Sequence, residues 1–333
     1  MGFISLDKKA FFNNADFYSD LLGDKSKLCI ALKDNAYGHG LEEMASLSLA
    51  YGINHTMVRN ILEANIANKY NFETILILYE NPKENYPTNY IFSINSIEYL
   101  QICPQNTPIE LKIDTGMSRN GIMTSKIDEA IDIVKKRELK LNGVFTHFCC
   151  SDEENDSTTI QEKIFLDVIK QIKKKIKTPF RIHCANSSGV SKVNNSLYDI
   201  ARIGIGLYGY TQTYKNNLKP VLSLYANKIS TRELKVGDSI GYGATYKVIK
   251  DGKFSNYDIG YGDGFFRLNE RKKAYISNKK EILGRVSMDG LTVEGDDDEI
   301  CVFNDVTNLA KIHDTIEYEI LTHLQPHIKR VIK

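Results

Sequence analysis

The stretch Leu32-Lys33-Asp34-Asn35-Ala36-Tyr37-Gly38-His39-Gly40 puts an isolated lysine at the end of an apolar run, just before a Tyr/His turn bounded by glycines. Burying an ammonium there is costly, and the free amine can form a Schiff base with a carbonyl cofactor. A structural lysine whose stem lies along apolar surface is the alternative. The flanking Tyr, Gly and His residues favour the reactive lysine.

Short apolar runs recur along the chain from this stretch onward. Eight of them lie between Cys29 and Tyr210, separated by polar segments compatible with helices. This alternation is typical of repeated βα units, so it predicts an α/β fold with a parallel (β/α)8 TIM barrel. The predicted strands are 29–33, 56–59, 74–79, 90–94, 109–114, 143–148, 180–184 and 200–205. The predicted outer helices include 41–51, 126–137 and 159–176.

After about Leu218 the sequence changes to short β-rich runs separated by Gly-Asp, Asp-Gly and Gly-Tyr-Gly turns. This pattern is typical of a β domain, with a clear helix expected only in the last twenty residues. We therefore predict a barrel over residues 1–219 and a mostly-β C-terminal domain over residues 220–333. Residues 2–5 are expected to add an edge strand to that second domain.

Composition excludes several classes of function. The chain has 333 residues, with 43 Lys and Arg against 42 Asp and Glu, so its net charge of +1 gives no argument for a nucleic-acid or membrane partner. Six cysteines without Cys-x-x-Cys spacing, and no signal peptide or long apolar run, indicate a cytoplasmic protein. His323 and His327 have helical spacing, but Pro326 lies between them, so no metal is predicted.

The carboxyl ends of barrel strands meet at one mouth, and polar residues follow several predicted strands. A serine follows the seventh strand and the turn Gly204-Ile205-Gly206 follows the eighth. Backbone N–H groups of such turns bind anions, so we expect a phosphorylated cofactor, although Gly-x-Gly alone also occurs in ordinary tight turns. The residues expected at the mouth are Lys33, Lys112, Arg119, His147, Asn186, Ser187, Arg202, Gly204, Ile205 and Gly206.

The opening stretch resembles the signature Val-Lys-Ala-Asn-Ala-Tyr-Gly-His-Gly of the alanine racemases, which are fold-type III pyridoxal-phosphate (PLP) enzymes. Residues 111–119, Leu-Lys-Ile-Asp-Thr-Gly-Met-Ser-Arg, are similar to the family's Lys-x-Asp-Thr-Gly-Met-x-Arg motif. Further similar motifs follow in the family's order, so the resemblance extends over most of the chain. They are residues 200–205, 240–246, 259–264, 286–289 and 316–320.

The resemblance implies pyridoxal 5'-phosphate as cofactor, with Lys33 as its Schiff-base lysine. It implies that Lys112 is often carbamylated and positions Arg119 against the cofactor's phenolic oxygen, while Arg119 also faces the substrate carboxylate. A surface ion pair between Lys112 and Asp114 is the alternative. The residues implied to hold the phosphate are Tyr37, Ser187, Gly204, Ile205 and Tyr318, and the other cofactor-binding residues are His147, Asn186 and Arg202.

The resemblance also implies the reaction. Arg202 would contact the pyridine nitrogen, and a guanidinium cannot accept a proton, so the cofactor is a weak electron sink that favours racemisation. Tyr242 of the other subunit would be the second acid/base, with His147 and Arg202 as cationic neighbours of its phenolate. Tyr261 would line the substrate entry and the Met288 N–H would meet the substrate carboxylate, which together imply an obligate head-to-tail homodimer.

The sequence departs from the family pattern at a few positions. Asp34 stands where alanine is usual, and strand alternation predicts that its side chain faces away from the cofactor. Cys149-Cys150 replace small residues, and Gly290 replaces a frequent glutamine. The expected function is interconversion of L- and D-alanine, which supplies D-alanine for peptidoglycan. The alternatives are a broad-specificity amino-acid racemase and a non-catalytic PLP-binding protein, although the latter would lack the domain that carries Tyr242.

Overall fold

The structure, a computed structural model, describes residues 1–84, 86–268 and 272–333. The chain divides into two compact units. Residues 11–34 and 44–219 form the barrel unit, and residues 1–10, 35–43 and 220–333 form the second unit. Segment 35–43 belongs to the second unit because its contacts lie there: Arg330 donates a hydrogen bond to the Gly38 carbonyl at 2.9 Å.

The barrel unit is built on eight parallel strands. Their residues are almost all buried, because both faces of a parallel sheet are covered, and this explains their continuous apolar sequences. In chain order the strands are Leu28–Ala31, His55–Val58, Thr74–Ile77, Tyr90–Ile94, Pro108–Asp114, Lys140–Thr146, Arg181–His183 and Ala201–Ile203. We refer to them as the first to eighth barrel strands.

Each of the first six barrel strands pairs with the next, and the eighth pairs with the first. The gap between the seventh and eighth strands is bridged by backbone hydrogen bonds from Asp199 N to Ile182 O (2.9 Å) and from Arg202 N to Ala185 O (3.0 Å). The barrel is therefore nearly closed. The short strand Ile122–Met123 extends the sheet beside the fifth strand. The predicted (β/α)8 barrel is confirmed.

Amphipathic helices follow the strands. In the helix Ile127–Lys136, the buried residues Ile127, Ala130, Ile131 and Val134 repeat at helical spacing and pack into the core between the sheet and its neighbours. The other helices of this part of the chain are Lys8–Leu22, Leu41–Tyr51, Ile61–Asn68, Ile97–Ile102 and Ser157–Lys175. Short 3-10 helices occupy Lys25–Lys27, Thr124–Lys126, Gly189–Ser191 and Asn195–Leu197.

The second unit is mostly β. Its six-stranded sheet is organised around the long strand Leu222–Leu234, which pairs antiparallel with Phe3–Leu6, Glu299–Phe303 and Gly252–Tyr257. The remaining strands are Leu291–Glu294 and Lys329–Ile332 in this sheet, and Ser239–Ile240 and Tyr246–Lys247 in a two-stranded hairpin. The predicted mostly-β C-terminal domain is confirmed.

Two details of the second unit differ from expectation. The N-terminal strand Phe3–Leu6 is not an edge strand, because Lys329–Ile332 pairs with its other side in parallel. A helix begins earlier than expected, at Thr307–Ile312, and Glu317–Thr322 follows it. Short 3-10 helices occupy Tyr242–Ala244 and Tyr261–Asp263.

Among the helices of the described residues, none combines the length and apolar character needed to cross a membrane.

Candidate active site

The first barrel strand ends at Ala31, two residues before Lys33, and the chain then enters a short helical turn, Lys33–Tyr37. The turn is left-handed, since Asp34 to Tyr37 all have φ between 52° and 54°. Such a conformation costs roughly 1–2 kcal/mol for each residue with a Cβ, so surrounding contacts must hold it. Within the second unit, the Asn35 carbonyl accepts Gly40 N–H at 3.0 Å and its side chain accepts Leu41 N–H at 2.9 Å.

This turn overturns the expectation for Asp34. Its carboxylate lies 3.2 Å from Lys33 Nζ and 3.0 Å from an Arg59 guanidinium nitrogen, so it faces the amine instead of pointing away. Alternation of neighbouring side chains applies to extended backbone, and the backbone here is already in the left-handed turn. The three side chains are partly exposed, so the two ion pairs orient Lys33 more than they stabilise the fold.

Lys112 lies in the fifth barrel strand and is buried, with its ammonium donating a hydrogen bond to Asn120. Burial, reinforced by the Arg119 and Arg202 charges, lowers the pKa of Lys112 to about 8. A fraction of this amine is therefore neutral near physiological pH, which is the form that reacts with carbon dioxide. The buried environment argues against a simple surface ion pair with Asp114.

His147 follows the sixth barrel strand. Removal from water, together with the charges of Arg202, Lys112, Arg119 and Lys33, lowers the pKa of His147 to about 3. The ring is therefore neutral at pH 7. This corrects the expectation that His147 supplies a positive charge to a tyrosine phenolate: of the two groups proposed, only Arg202 carries one.

Arg202 lies in the eighth barrel strand and is buried. Its guanidinium contacts His183 Nδ1 at 2.6 Å, donates to the carbonyls of Thr146 (2.7 Å) and Cys184 (3.1 Å), and lies 4.9 Å from the centre of the Phe145 ring. These contacts fix the orientation of the guanidinium in the barrel interior.

His183 connects Arg202 to a buried carboxylate. Burial lowers the pKa of His183 to about 4, so the ring is neutral and accepts from Arg202 at Nδ1. Its Nε2–H then donates to Glu110 at 2.9 Å. Burial alone would raise the pKa of Glu110, but the charge of Arg181 and the contact with His183 oppose it and lower the pKa to about 2.

Sequence reasoning missed Glu110, Arg181 and His183. A signal for the first was present, since Glu110, Lys112 and Asp114 alternate along the fifth strand and side chains two residues apart share one face of a strand. The run reads as apolar because Ile and Leu fill the intervening positions.

The turn after the eighth strand forms a cradle of backbone N–H groups. Ser187 is buried, and its hydroxyl oxygen accepts N–H groups from Gly204 (3.1 Å) and Gly206 (3.2 Å). A Cβ at Gly206 would lie 2.1 Å from the Tyr18 hydroxyl, so this close approach requires glycine. Asn186 has a supporting position, since its side-chain oxygen accepts Gly189 N–H at 2.9 Å and the Ser151 hydroxyl at 2.8 Å. Ile205, between the two glycines, is buried.

The second unit carries the remaining predicted residues. The rings of Tyr37 and Tyr318 meet edge to face at 5.6 Å, so the two residues implied to hold the phosphate are neighbours. Tyr261 N–H donates to Ser287 O at 3.0 Å, and Gly262 N–H donates to Met288 O at 2.8 Å, which joins the two segments. Tyr242, Tyr261 and Met288 are exposed, the first by 63%.

The donor set fits PLP. The barrel unit contains an amine on Lys33, an anion cradle around Ser187 and a buried, permanently charged Arg202, which are the groups needed for an aldehyde, a phosphate and a ring nitrogen. Lys33 and Ser187 follow the carboxyl ends of the first and seventh barrel strands, where this fold places its active sites, and Arg202 lies within the eighth strand.

Comparison with known proteins agrees with these observations. The family model for the N-terminal domain of alanine racemase matches residues 6–212, and the model for the C-terminal domain matches residues 221–332. An alanine racemase of Campylobacter jejuni subsp. doylei is 38% identical over 332 residues, covering 100% of both chains, and one of a Nitratiruptor species is 39% identical over 340 residues, covering 99% of both.

Solved structures show the same fold. The alanine racemase of Bacillus anthracis with bound L-Ala-P has a TM-score of 0.88 at 23% identity, covering 100% of this chain and 95% of the other. The enzyme from a D-cycloserine-producing Streptomyces lavendulae has a TM-score of 0.85 at 24% identity, covering 100% and 97%. Because the two family models cover nearly the whole sequence and the curated relatives align over its full length, the chain belongs to the alanine racemase family, a family of isomerases.

Proposed function

We propose that this protein is a PLP-dependent alanine racemase that interconverts L- and D-alanine with two acid/base groups, Lys33 and Tyr242. The observation that carries the proposal is the buried Arg202, held by a neutral His183 in the same barrel that presents the Lys33 amine. A family member from Bacillus anthracis was solved with bound L-Ala-P, which supports an alanine-sized ligand.

Named residues would hold each part of the cofactor. The backbone N–H groups of Gly204 and Ile205, the Ser187 hydroxyl, and Tyr37 and Tyr318 would bind the phosphate. Arg202 would donate to the ring nitrogen, while His147 and Asn186 would complete the pocket. When bound, PLP supplies the electron sink that acidifies the substrate Cα–H.

The nature of Arg202 controls the strength of that sink. A guanidinium donates hydrogen bonds but does not give up its proton, and His183 is already a neutral acceptor for it. Arg202 would therefore donate a hydrogen bond to the ring nitrogen without transferring a proton to it, which would keep the electron sink weak. Rapid return of a proton to Cα favours racemisation over transamination.

Two bases on opposite faces of Cα are needed to invert it. Lys33 would hold or release a proton on one face, with Asp34 orienting its Nζ. Tyr242 would act on the other face, contributed by a second copy of the chain. Its exposure of 63% in a single chain agrees with a role that is completed by a partner.

The remaining predicted residues would bind the substrate. Arg119 and the Met288 N–H would hold the carboxylate, and Tyr261 would line the entry. A carbamate on Lys112 would neutralise one cation and position Arg119, and the low pKa of this amine favours its formation. We infer a cytoplasmic homodimer that provides D-alanine for peptidoglycan.

The test is chiral chromatography of the purified protein with PLP, incubated separately with L-alanine, L-serine and L-lysine. Rapid formation of D-alanine with little D-serine or D-lysine would support the proposal. Comparable conversion of all three would indicate a broad-specificity racemase, and no conversion despite bound PLP would indicate a non-catalytic carrier. The second unit with its Tyr242 argues against the carrier.

A further inference from the structure

Two adjacent cysteines follow the sixth barrel strand and are not explained by the proposed reaction. Cys149 is exposed and Cys150 is half-buried, and their sulfur atoms lie 3.1 Å apart as free thiols. The three other thiols of the barrel unit, Cys29, Cys103 and Cys184, are buried. The pair is therefore an accessible dithiol on this unit.

Cys149 is held in place by the neighbouring helix Ser157–Lys175. Its backbone N–H donates to Gln161 Oε1 at 3.0 Å, and its thiol donates to the same oxygen at 3.3 Å. Gln161 is buried and is itself fixed by a hydrogen bond from its Nε2 to Thr115 at 3.2 Å. The dithiol is thus anchored by a buried polar side chain.

The spacing of the pair disfavours a disulfide. Adjacent Cα atoms lie about 3.8 Å apart across a trans peptide, whereas disulfides prefer about 4.4–6.8 Å, so a direct S–S bond between neighbours is strained. A single atom placed between the two sulfurs relieves that strain. Among the described residues there is no cluster of three or more His, Cys, Asp or Glu suited to a metal ion, so the pair has no third ligand for tetrahedral coordination.

We propose that Cys149 and Cys150 form a capture site for trivalent organic arsenicals of the arsenoxide type, in which arsenic keeps its carbon substituent and binds two sulfur atoms. With an arsenoxide, two S–As bonds form while the As–O bonds break. The oxygen leaves as one water molecule that carries away both thiol protons. Arsenic stays trivalent, so no oxidant or reductant takes part.

The test uses phenylarsine oxide and mass spectrometry of the intact protein. We expect one phenylarsenic group per wild-type chain, removed by ethanedithiol but retained in excess 2-mercaptoethanol. Cys149→Ser and Cys150→Ser should each lose this retention. On the order of 100-fold less 2-mercaptoethanol should remove the phenylarsenic group from either variant, because the second S–As bond of the wild type is intramolecular. Cys301→Ser, at a solitary half-buried thiol, is the matched control and should behave as wild type.

Thermal unfolding without arsenical checks that both variants fold. No adduct on the wild type, an adduct that 2-mercaptoethanol removes, or undiminished retention in either serine variant would each overturn the proposal. The readout is the mass of the chain, so its outcome is independent of whether the protein racemises alanine.

Discussion

Glu110 is the most deeply buried carboxylate among the described residues. Replacing it with glutamine tests the buried polar network that it forms with Arg181 and His183. The carboxylate pairs with Arg181 and accepts a hydrogen bond from His183, and its side chain has no solvent exposure. Glutamine keeps the size and one acceptor oxygen but removes the charge. Arg181 then loses its anionic partner inside the barrel.

The magnitude follows from the pKa of Glu110, which the fold lowers from 4.5 to about 2. A tenfold change in proton affinity corresponds to about 1.4 kcal/mol, so the ionised carboxylate stabilises the fold by about 3 kcal/mol at neutral pH. This agrees with the roughly 3–5 kcal/mol lost when one partner of a buried ion pair is removed. For a barrel of about 200 residues, Glu110→Gln should lower the unfolding midpoint by roughly 6–12 °C.

The pH dependence has a defined sign. Because the folded pKa is depressed, the stabilisation is fully present above about pH 4.5 and is lost as the pH falls towards 2. The difference between wild type and Glu110→Gln should therefore shrink over this interval. Urea denaturation followed by circular dichroism at several pH values measures it.

The matched control is Glu129→Gln, which breaks an exposed pair with Lys126 and should cost less than about 1 kcal/mol. A Glu110→Gln midpoint equal to that of the control would refute the reasoning. A loss of stability that did not change between pH 7 and pH 3 would refute it equally, since the effect would then not come from ionisation.

Three further predictions concern the amine, the tyrosine and the left-handed turn. Lys33→Ala should abolish racemisation in both directions, measured by chiral chromatography, and appreciable residual turnover would remove Lys33 from its role. Tyr242→Phe should slow exchange of the L-alanine α-proton with deuterated water by about 10²–10⁴-fold while affecting D-alanine less, and equal slowing of both enantiomers would contradict the assignment. Ala36→Val should cost about 1–2 kcal/mol more in urea denaturation than Ala64→Val, because both alanines are buried but only Ala36 has positive φ. Equal losses would show that the turn carries no strain.

The barrel strands could be predicted because a parallel strand buried on both faces must be apolar along its length. The runs around Ile75, Phe92 and Ile109 have this continuous apolar character. The predicted boundaries of these strands differ from the observed ones by only a few residues. The polar residues that follow these runs were predicted to lie at one barrel mouth, because the carboxyl ends of parallel barrel strands meet there.

The orientation of Asp34 could not be predicted in this way. The alternation rule requires extended backbone. Asp and Asn adopt the left-handed conformation as single residues, but residue type does not predict a left-handed run that includes Ala36. That conformation is imposed by tertiary contacts of the segment 35–43, which clusters with residues almost three hundred positions later. The proposed role of Tyr242 could not be derived from the pattern of a single chain either, because it involves a second copy of the chain.

The charge state of His147 could not be predicted from the sequence either, because its charged neighbours come from three different barrel strands. Burial, reinforced by the positive charges of Arg202, Lys112, Arg119 and Lys33, lowers the pKa of His147, so the imidazole remains neutral. The same field attracts a phosphate and a carboxylate, and a cationic His147 would add to the repulsion among these cations. A chain with a net charge of only +1 thus concentrates cations at one barrel mouth, while the Glu110 carboxylate offsets part of that charge from within the barrel. The affinity of this mouth for anionic groups therefore depends on where the charges lie, which composition alone does not reveal.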